Sequence, residues 1–448
     1  MALPNIEDTI AAIATPPGTG AIGIVRVSGP ESHVIADQVF QPHNKSLPSL
    51  QTTNTVVLGT VHHKHEIIDQ ALLLIFRSPH SYTGQNVIEL QTHGGPAVLK
   101  GVLKACIEQG ARLAGPGEFT LRAYLSGQID LIQAESVLSL INAQSDQARR
   151  QAIHGLAKEL SKKIDKIQTD LTSVYAAIQA TLDYPEEGVP EAEKQIPLEN
   201  AERNIEELLA TAKAGDITQR GARLAIVGKP NAGKSSLLNA LLGYERSIVS
   251  PHSGTTRDYL EAPLEFNGLQ ITAIDTAGIR STLDPVEKAG VESAIDIAAT
   301  ADLTLLVLDR SEPFLQGDLA LYDNLIRPSL ITVATKADLS PAWKSLPWVE
   351  QPLTVSSQTG KGLENLRNAV SKSLLDGSHT TELWITIDRH KSLLEETAKL
   401  VCRAKEAPDD LAALDLEVAL TKLGQITGRS EVSEETISYI FSQFCVGK

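Results

Sequence analysis

Gly228-Lys229-Pro230-Asn231-Ala232-Gly233-Lys234-Ser235 decides the fold. It fits G-x-x-x-x-G-K-[ST], a phosphate-binding P-loop. Its flanks fit as well. Leu224-Ala225-Ile226-Val227 is a short apolar run expected as a buried strand, and Ser236 to Leu242 reads as a helix ended by Gly243. A strand that stops, a turn that bares backbone N–H groups and a helix N-terminus together make an anion site. Lys234 is expected to reach the outer phosphates, and Ser235 to hold Mg²⁺.

Three further stretches follow in the order that a GTP-binding fold requires. Gly254-Thr255-Thr256-Arg257-Asp258 is a loop with hydroxyls that can coordinate Mg²⁺. Asp275-Thr276-Ala277-Gly278 follows the apolar run Leu269 to Ile274, so its Asp can serve the Mg²⁺ shell and its Gly the γ-phosphate. Thr335-Lys336-Ala337-Asp338 follows the run Leu330 to Val333. Asp338 can accept the two donors on the guanine edge, which adenine lacks. Val355-Ser356-Ser357-Gln358 can then close over the base. The expected GTP contacts run from Asn231, Ala232, Gly233, Lys234, Ser235 and Ser236 through Ser250, Pro251, His252, Ser253, Gly254, Thr255 and Thr256. They continue at Asp275, Thr276, Ala277 and Gly278, then Thr335, Lys336 and Asp338, then Ser356, Ser357 and Gln358.

Two residues pose the catalytic question. Ile279 stands where Ras-type enzymes carry a water-orienting Gln, and an apolar side chain cannot polarise water. Asp284, Glu287 and Glu292 are candidates for that role, set against a plain solvated helix face. Asn231 offers an amide carbonyl beside the phosphates. With carbonyls around Ser250 to Thr255 it can ligate a monovalent cation in place of an arginine finger, or it is simply a turn-forming Asn.

The rest of the 448 residues exceeds one domain. Residues 1–122 read as mixed α and β. Strands are expected at Thr9 to Ala14, Ile22 to Val27, Thr55 to His62, Gln70 to Phe76 and Asn86 to Gln91, with helices at Glu31 to Phe40 and from Pro96 to Cys106. Beyond Leu121 the period becomes helical. Ile153, Leu156, Leu160, Ile164, Ile167, Leu171, Val174, Ile178 and Leu182 form one stripe on one long helix. Leu198 to Ala214, Arg389 to Lys405, Leu411 to Leu423 and Ser433 to Phe444 read as helices too. The expected domains are 1–122, a helical part 123–217, a GTPase domain 218–376 and a second helical part 377–448. This is a multidomain chain of α/β and all-α parts, with an N-terminal α+β domain and a helical domain interrupted by an inserted Ras-like P-loop GTPase domain.

Composition adds limits. A net charge of −15 argues against a broadly basic surface, so contact with nucleic acid must be local or shared. Cys106, Cys402 and Cys445 are few, odd in number and far apart, which implies no disulfide framework and suits a reducing cytoplasm. No apolar run approaches about 18 residues, and no signal peptide is evident, so no membrane role is expected.

The motifs resemble the MnmE (TrmE) family of tRNA-modifying GTPases. The likeness extends to Ala14-Thr15-Pro16-Pro17-Gly18, Ile24 to Gly29, Glu89 to Pro96, Pro116 to Ala123, Ile129 to Glu135 and the end Phe444-Cys445-Val446-Gly447-Lys448. It covers essentially the whole chain. It implies an N-terminal domain that binds a tetrahydrofolate derivative (5-formyl or 5,10-methylene) and mediates homodimerisation. It implies a heterotetramer with the FAD-binding protein MnmG, and modification of C5 of the wobble uridine in certain tRNAs. Folate contacts fall on Arg26, Glu89, Gln128 and Lys448, Gln128 standing where many members carry Lys. Potassium falls on Asn231, Ser250, His252 and Thr255, and Mg²⁺ on Ser235 and Thr256. The water-positioning carboxylate falls on Glu287. Thr335 departs from the usual Asn, and its hydroxyl offers less to the purine and the P-loop. Ser357-Gln358 departs from Ala with Lys or Arg.

Cys445 has two readings: a thiol near the folate or the transferred group, catalytic alongside Glu287, or a small buried helix residue. His62, His63 and His65 are read as a solvated hairpin rather than a metal site. The rival function is a GTP-timed scaffold for RNA or ribosome assembly without one-carbon chemistry.

Overall fold

A computed structural model describes residues 6–184, 194–245, 260–275, 295–325, 329–345, 351–375 and 382–448. The chain forms two compact units. One joins Met1–Ile141, Gly155–Glu187 and Pro408–Lys448, and the other joins Asn142–His154 with Gly188–Ala407.

In the first unit, seven strands form one sheet in the order β3-β4-β5-β6-β2-β1-β7. They are β1 (Ile10–Ile13), β2 (Gly20–Ser28), β3 (Phe40–Pro42), β4 (Thr55–His63), β5 (Glu66–Phe76), β6 (Val87–Gly94) and β7 (Arg112–Leu113). Helices Ser32–Val39 and Pro96–Glu108 cover one face, where Val25, Val27, Leu73, Leu90 and Val102 form the core. Strand alternation sends the intervening residues to the other face. Across it the register aligns Leu58, Leu72, Gln91 and Ile24 in one row, and Val56, Leu74, Glu89 and Arg26 in the next. β5 begins earlier than the sequence suggested. Lys64, at φ 58°, turns the chain tightly enough for Glu66 to pair with His63. His63 reaches Glu108 at 2.9 Å and His62 the Thr60 hydroxyl at 2.8 Å.

The same unit carries helices Glu118–Leu125, Leu131–Asn142, Glu159–Asp183, Asp409–Thr427 and Glu434–Ser442. The single long helix expected over 153–182 is wrong. One helix, Asp146–Leu156, ends and another starts after Lys158, which sits at φ 63°. Leu160, Ile164, Ile167, Leu171, Val174 and Ile178 are buried as expected, but Ile153 and Leu182 are exposed. A break of a few residues leaves three- and four-residue spacing intact, so periodicity does not reveal it.

In the second unit, β8 (Ala222–Val227), β9 (Leu260–Phe266), β10 (Leu269–Asp275), β11 (Leu303–Asp309), β12 (Leu330–Thr335) and β13 (Leu353–Thr354) form a sheet ordered β13-β12-β11-β8-β10-β9. All neighbours are parallel except β9 with β10. Apolar side chains fill both faces, as a parallel sheet requires. β11 was not anticipated, although Leu303 to Leu308 is a continuous buried run of the expected type. The helix after the P-loop is Lys234–Glu245 and runs through Gly243 instead of ending there. An interior Gly weakens a helix by only about 1 kcal/mol and does not by itself stop one. The helix expected over 198–214 is two, Gln195–Ala210 and Ala212–Arg220. Between them the Thr211 hydroxyl donates to Leu208 O at 2.6 Å and accepts from Ile385 N–H at 3.0 Å.

Candidate functional site

The P-loop leaves β8 at the centre of the second unit's sheet. Gly228 passes so close to β11 that a Cβ there would lie 2.3 Å from Val307 O. Asn231 at φ 65° and Gly233 at φ 92° curl the loop, and the helix begins at Lys234. Lys234 is buried, and its Nζ donates to Gly228 O at 2.7 Å and Lys229 O at 2.8 Å. The ammonium thus lies against the loop that a phosphate would fill, above a helix N-terminus. Lys229 pairs with Asp318 at 2.8 Å, which ties the loop's outer side to the helix Gln316–Leu325.

The base end is assembled by β12 and β13. Thr335 is 1% exposed, and its hydroxyl donates to Ala232 O in the P-loop at 2.6 Å, with Leu308 O at 3.0 Å. The hydroxyl thus braces the P-loop directly. Lys336 pairs with Asp309 at the end of β11. Burial works upward on the Asp309 carboxyl, but hydrogen bonds from Lys336 and Ser311 outweigh it and hold the pKa low. Asp338 is exposed, and its Oδ1 accepts from Ser356 Oγ at 2.5 Å. The last two expected stretches therefore meet. Ser357 and Gln358 begin the turn that follows. Asp309 and Asp318 are the contributors that sequence reading missed; the signal for Asp309 was the unrecognised strand β11, which it ends, whereas Asp318 stands in the first turn of the helix Gln316–Leu325.

Asp275 ends β10, and only its backbone is described. Ser250, Pro251, His252, Ser253, Gly254, Thr255, Thr256, Thr276, Ala277, Gly278, Ile279, Asp284, Glu287 and Glu292 lie outside the described residues.

A second cluster lies on the face of the first unit's sheet opposite the two helices. Arg26 and Glu89 face each other across β2 and β6 and pair at 2.7 Å. The guanidinium carbon lies 5.7 Å from the Tyr82 ring centre and 5.6 Å from that of Phe119. Lys448 joins them from the far end of the chain. Burial and the Arg26 charge lower its pKa, while Glu89 works the other way. The terminal segment is tied down by several contacts. Val446 bridges to Pro116, Phe119 N–H donates to Lys448 O at 3.2 Å, and Gly117 N–H donates to Cys445 O at 3.4 Å. Gly447, at φ 102°, permits this, because a Cβ would fall 2.3 Å from Ile13 O. Gln128 lies beside Gly84, which is in the same loop as Tyr82: its amide nitrogen would lie 3.0 Å from a Cβ there. Cys445 is exposed and lies beyond the last helix, so the reading as a small buried helix residue is wrong. Tyr82 was missed, and no local pattern marks it.

Beneath this site Glu118 pairs with Arg112 at 2.7 Å and Arg122 at 2.9 Å, and Asp8 pairs with both arginines. Burial alone would raise the Glu118 pKa. The two arginines and the Gly115 N–H lower it on balance. The cluster fixes the turn that receives the chain's last residues.

Fold and P-loop define a member of the P-loop GTPase class, joined to an α+β domain and helices. Comparison with known proteins narrows this. Residues 9–128 match the GTP-binding protein TrmE N-terminus, and residues 131–445 match the MnmE helical domain. The tRNA modification GTPase MnmE of one Thermus thermophilus strain is 49% identical over 446 residues, covering 99% of this chain and 100% of that one. The Chloroflexus aurantiacus protein of the same description is 42% identical over 458 residues, with 99% and 100% coverage. Among solved structures, Aquifex aeolicus Era bound to GDP·AlF4⁻ is similar at 30% identity, over 40% of this chain and 66% of that one, with a TM-score of 0.28. The chain belongs to the MnmE family and is a GTPase of tRNA modification. Among the described residues no helix is long and apolar enough to cross a membrane.

Proposed function

We propose that this chain is a potassium-stimulated GTPase that uses a tetrahydrofolate one-carbon unit to modify C5 of the wobble uridine in certain tRNAs. It acts in the cytoplasm, as a homodimer within a heterotetramer with the FAD-binding protein MnmG. The observation that carries the reading is the convergence of Arg26, Glu89 and Lys448 beside Tyr82 and Phe119. Cations fit the folate carboxylates, Glu89 fits a ring that offers paired N–H donors, and the aromatic rings fit its flat face. A bound 5-formyl or 5,10-methylene derivative supplies the carbon. Gln128 adds an amide, and the exposed Cys445 a thiol.

The homodimer is supported by the sheet face opposite the two helices, where Val56, in the row of Arg26 and Glu89, Leu58, in the next row, and Ile22, paired with His93, stand 58%, 47% and 55% exposed. A second copy would cover these side chains. The domain limits 1–122, 123–217, 218–376 and 377–448 belong to the same proposal.

For the nucleotide, Asn231, Ala232, Gly233, Lys234, Ser235 and Ser236 hold the phosphates, and Thr335, Lys336, Asp338, Ser356, Ser357 and Gln358 hold the base. Ser250 through Thr256 and Asp275 through Gly278 complete the site. Ser235 and Thr256 fit Mg²⁺. Asn231 with Ser250, His252 and Thr255 fits potassium, and Glu287 positions the attacking water. Two measurements test the whole. 5-Formyl-tetrahydrofolate should bind the full chain, and Arg26→Gln should weaken it at least tenfold. No binding by the parent chain would favour the scaffold reading. GTP turnover should rise strongly in potassium over sodium chloride at equal ionic strength, and Glu287→Ala should abolish that gain. Equal rates in both salts would sink the potassium mechanism.

A further inference from the structure

Within the second unit, away from the P-loop, lies a cleft of about 520 Å³. Helix Asp146–Leu156 lines it with Gln147, Arg150, Gln151 and His154, spaced i, i+3, i+4, i+7. Helix Leu363–Leu374 and the residue after it present Asn368, Ser371, Lys372 and Leu375 at the same spacing. Such a face is normally apolar where two helices pack. Here Leu375 is the one apolar member, so these faces are not built to close on each other.

The floor is fixed. Gln151 Nε2 donates to Glu382 O at 2.9 Å and its Oε1 accepts from Trp384 N–H at 3.0 Å. The walls keep unspent donors. Arg150 uses only Nε, donating to Asp146 at 2.8 Å, and its two Nη groups make no hydrogen bond among the described residues. Lys372 is exposed and has no ion pair among the described residues. Asn368 uses Oδ1, which accepts from Asn267 at 3.0 Å, and leaves its NH₂ group to the cleft. Arg150 and Lys372 line the cleft together with one carboxylate, Glu382, while Asp146 engages only the Nε side of Arg150.

We propose that this cleft binds a nucleotide phosphate. Arg150 offers a fork and Lys372 a point charge to phosphate oxygens, and the amides of Gln147 and Asn368 meet the attached base. The volume lies within the ordinary range for ligand sites, about 300–1,000 Å³. The phosphate belongs either to a free mononucleotide or to a residue of an RNA chain. This inference does not rest on the folate reading, whose residues are on the other unit.

The test uses the full chain with its P-loop saturated by GDP and Mg²⁺. The probes are 5′-UMP, followed calorimetrically, and a labelled unmodified tRNA transcript, followed by anisotropy. Arg150→Gln with Lys372→Gln should weaken the probe that binds at least tenfold, with GTP turnover and thermal midpoint unchanged. For tRNA the salt dependence of log K should become shallower by about 1.5. UMP binding identifies a free nucleotide as the source, and tRNA binding alone identifies RNA. Should the double variant not fold, Lys372→Gln alone should cost at least threefold. Neither probe binding, or both binding the variants as well as the parent chain, overturns the proposal.

Discussion

The two candidate sites are built in opposite ways. The described part of the nucleotide site is made of short contiguous stretches that follow β8, β12 and β13, and its P-loop spans eight neighbouring residues. The Arg26 site takes single residues from β2, β6, the loop before β6, the helix Glu118–Leu125 and the end of the chain. A contiguous site is held by backbone geometry, a convergent one by tertiary contacts. Damage to the first should therefore stay chemical and local, while damage to the second should spread from its supports.

The largest expected effects probe both. Lys234→Ala removes the ammonium that lies on the loop carbonyls and should cut GTP turnover by about 10²–10³-fold or more, leaving folate affinity intact. Steady-state kinetics with parallel folate titration checks this; a fall in both would break the contrast. Glu118→Ala leaves two arginines, one of them fully buried, without their shared carboxylate. It should destabilise the first unit by about 3–5 kcal/mol, seen in urea unfolding. A loss under about 1 kcal/mol would show that the ionic cluster does not support the terminal segment.

Two smaller changes sharpen the contrast. Gly447→Val places a side chain into Ile13 O and should release the last residues, weakening 5-formyl-tetrahydrofolate at least tenfold with GTP turnover within twofold. Thr335→Val keeps the shape but removes the donor to Ala232 O. It should weaken GDP by about tenfold, the cost of one buried unsatisfied acceptor, with folate affinity unmoved. Wild-type affinity in that variant would show that the brace is dispensable.

What sequence could reveal follows from the same difference. The P-loop, the strand before it and the apolar rows of β2 and β6 were legible because pattern and neighbour coincide within a few residues. The break at Lys158 was not, since helical spacing survives it. The turn at Thr211 was not either, because its cause is Ile385, far along the chain. Arg26, Glu89 and Lys448 came only from family likeness. Nothing local to them says that they meet, and Tyr82 carried no signal at all. Thr335 was read from side-chain chemistry alone, and only its 2.6 Å bond to Ala232 shows what its hydroxyl does.

The smallest effect concerns Lys448 and has a definite sign. Burial and the Arg26 charge lower its pKa from the ordinary 10.5 when the terminal segment is docked. Between that lowered value and 10.5 the undocked segment holds more protons than the docked one. Docking therefore strengthens as pH rises through this window, and the penalty is fully present below it, where Lys448 is charged in both states. A folate carboxylate beside Lys448 would offset the Arg26 repulsion and raise the pKa again, so binding should take up a fraction of a proton in the same window. Calorimetric titration with 5-formyl-tetrahydrofolate, just below pH 10.5 in two buffers of different ionisation heat, measures it. Lys448→Arg should abolish the uptake while keeping most of the affinity, because a guanidinium does not titrate there. Proton release on binding would mean that the ligand leaves Lys448 more desolvated than before and does not pair with it.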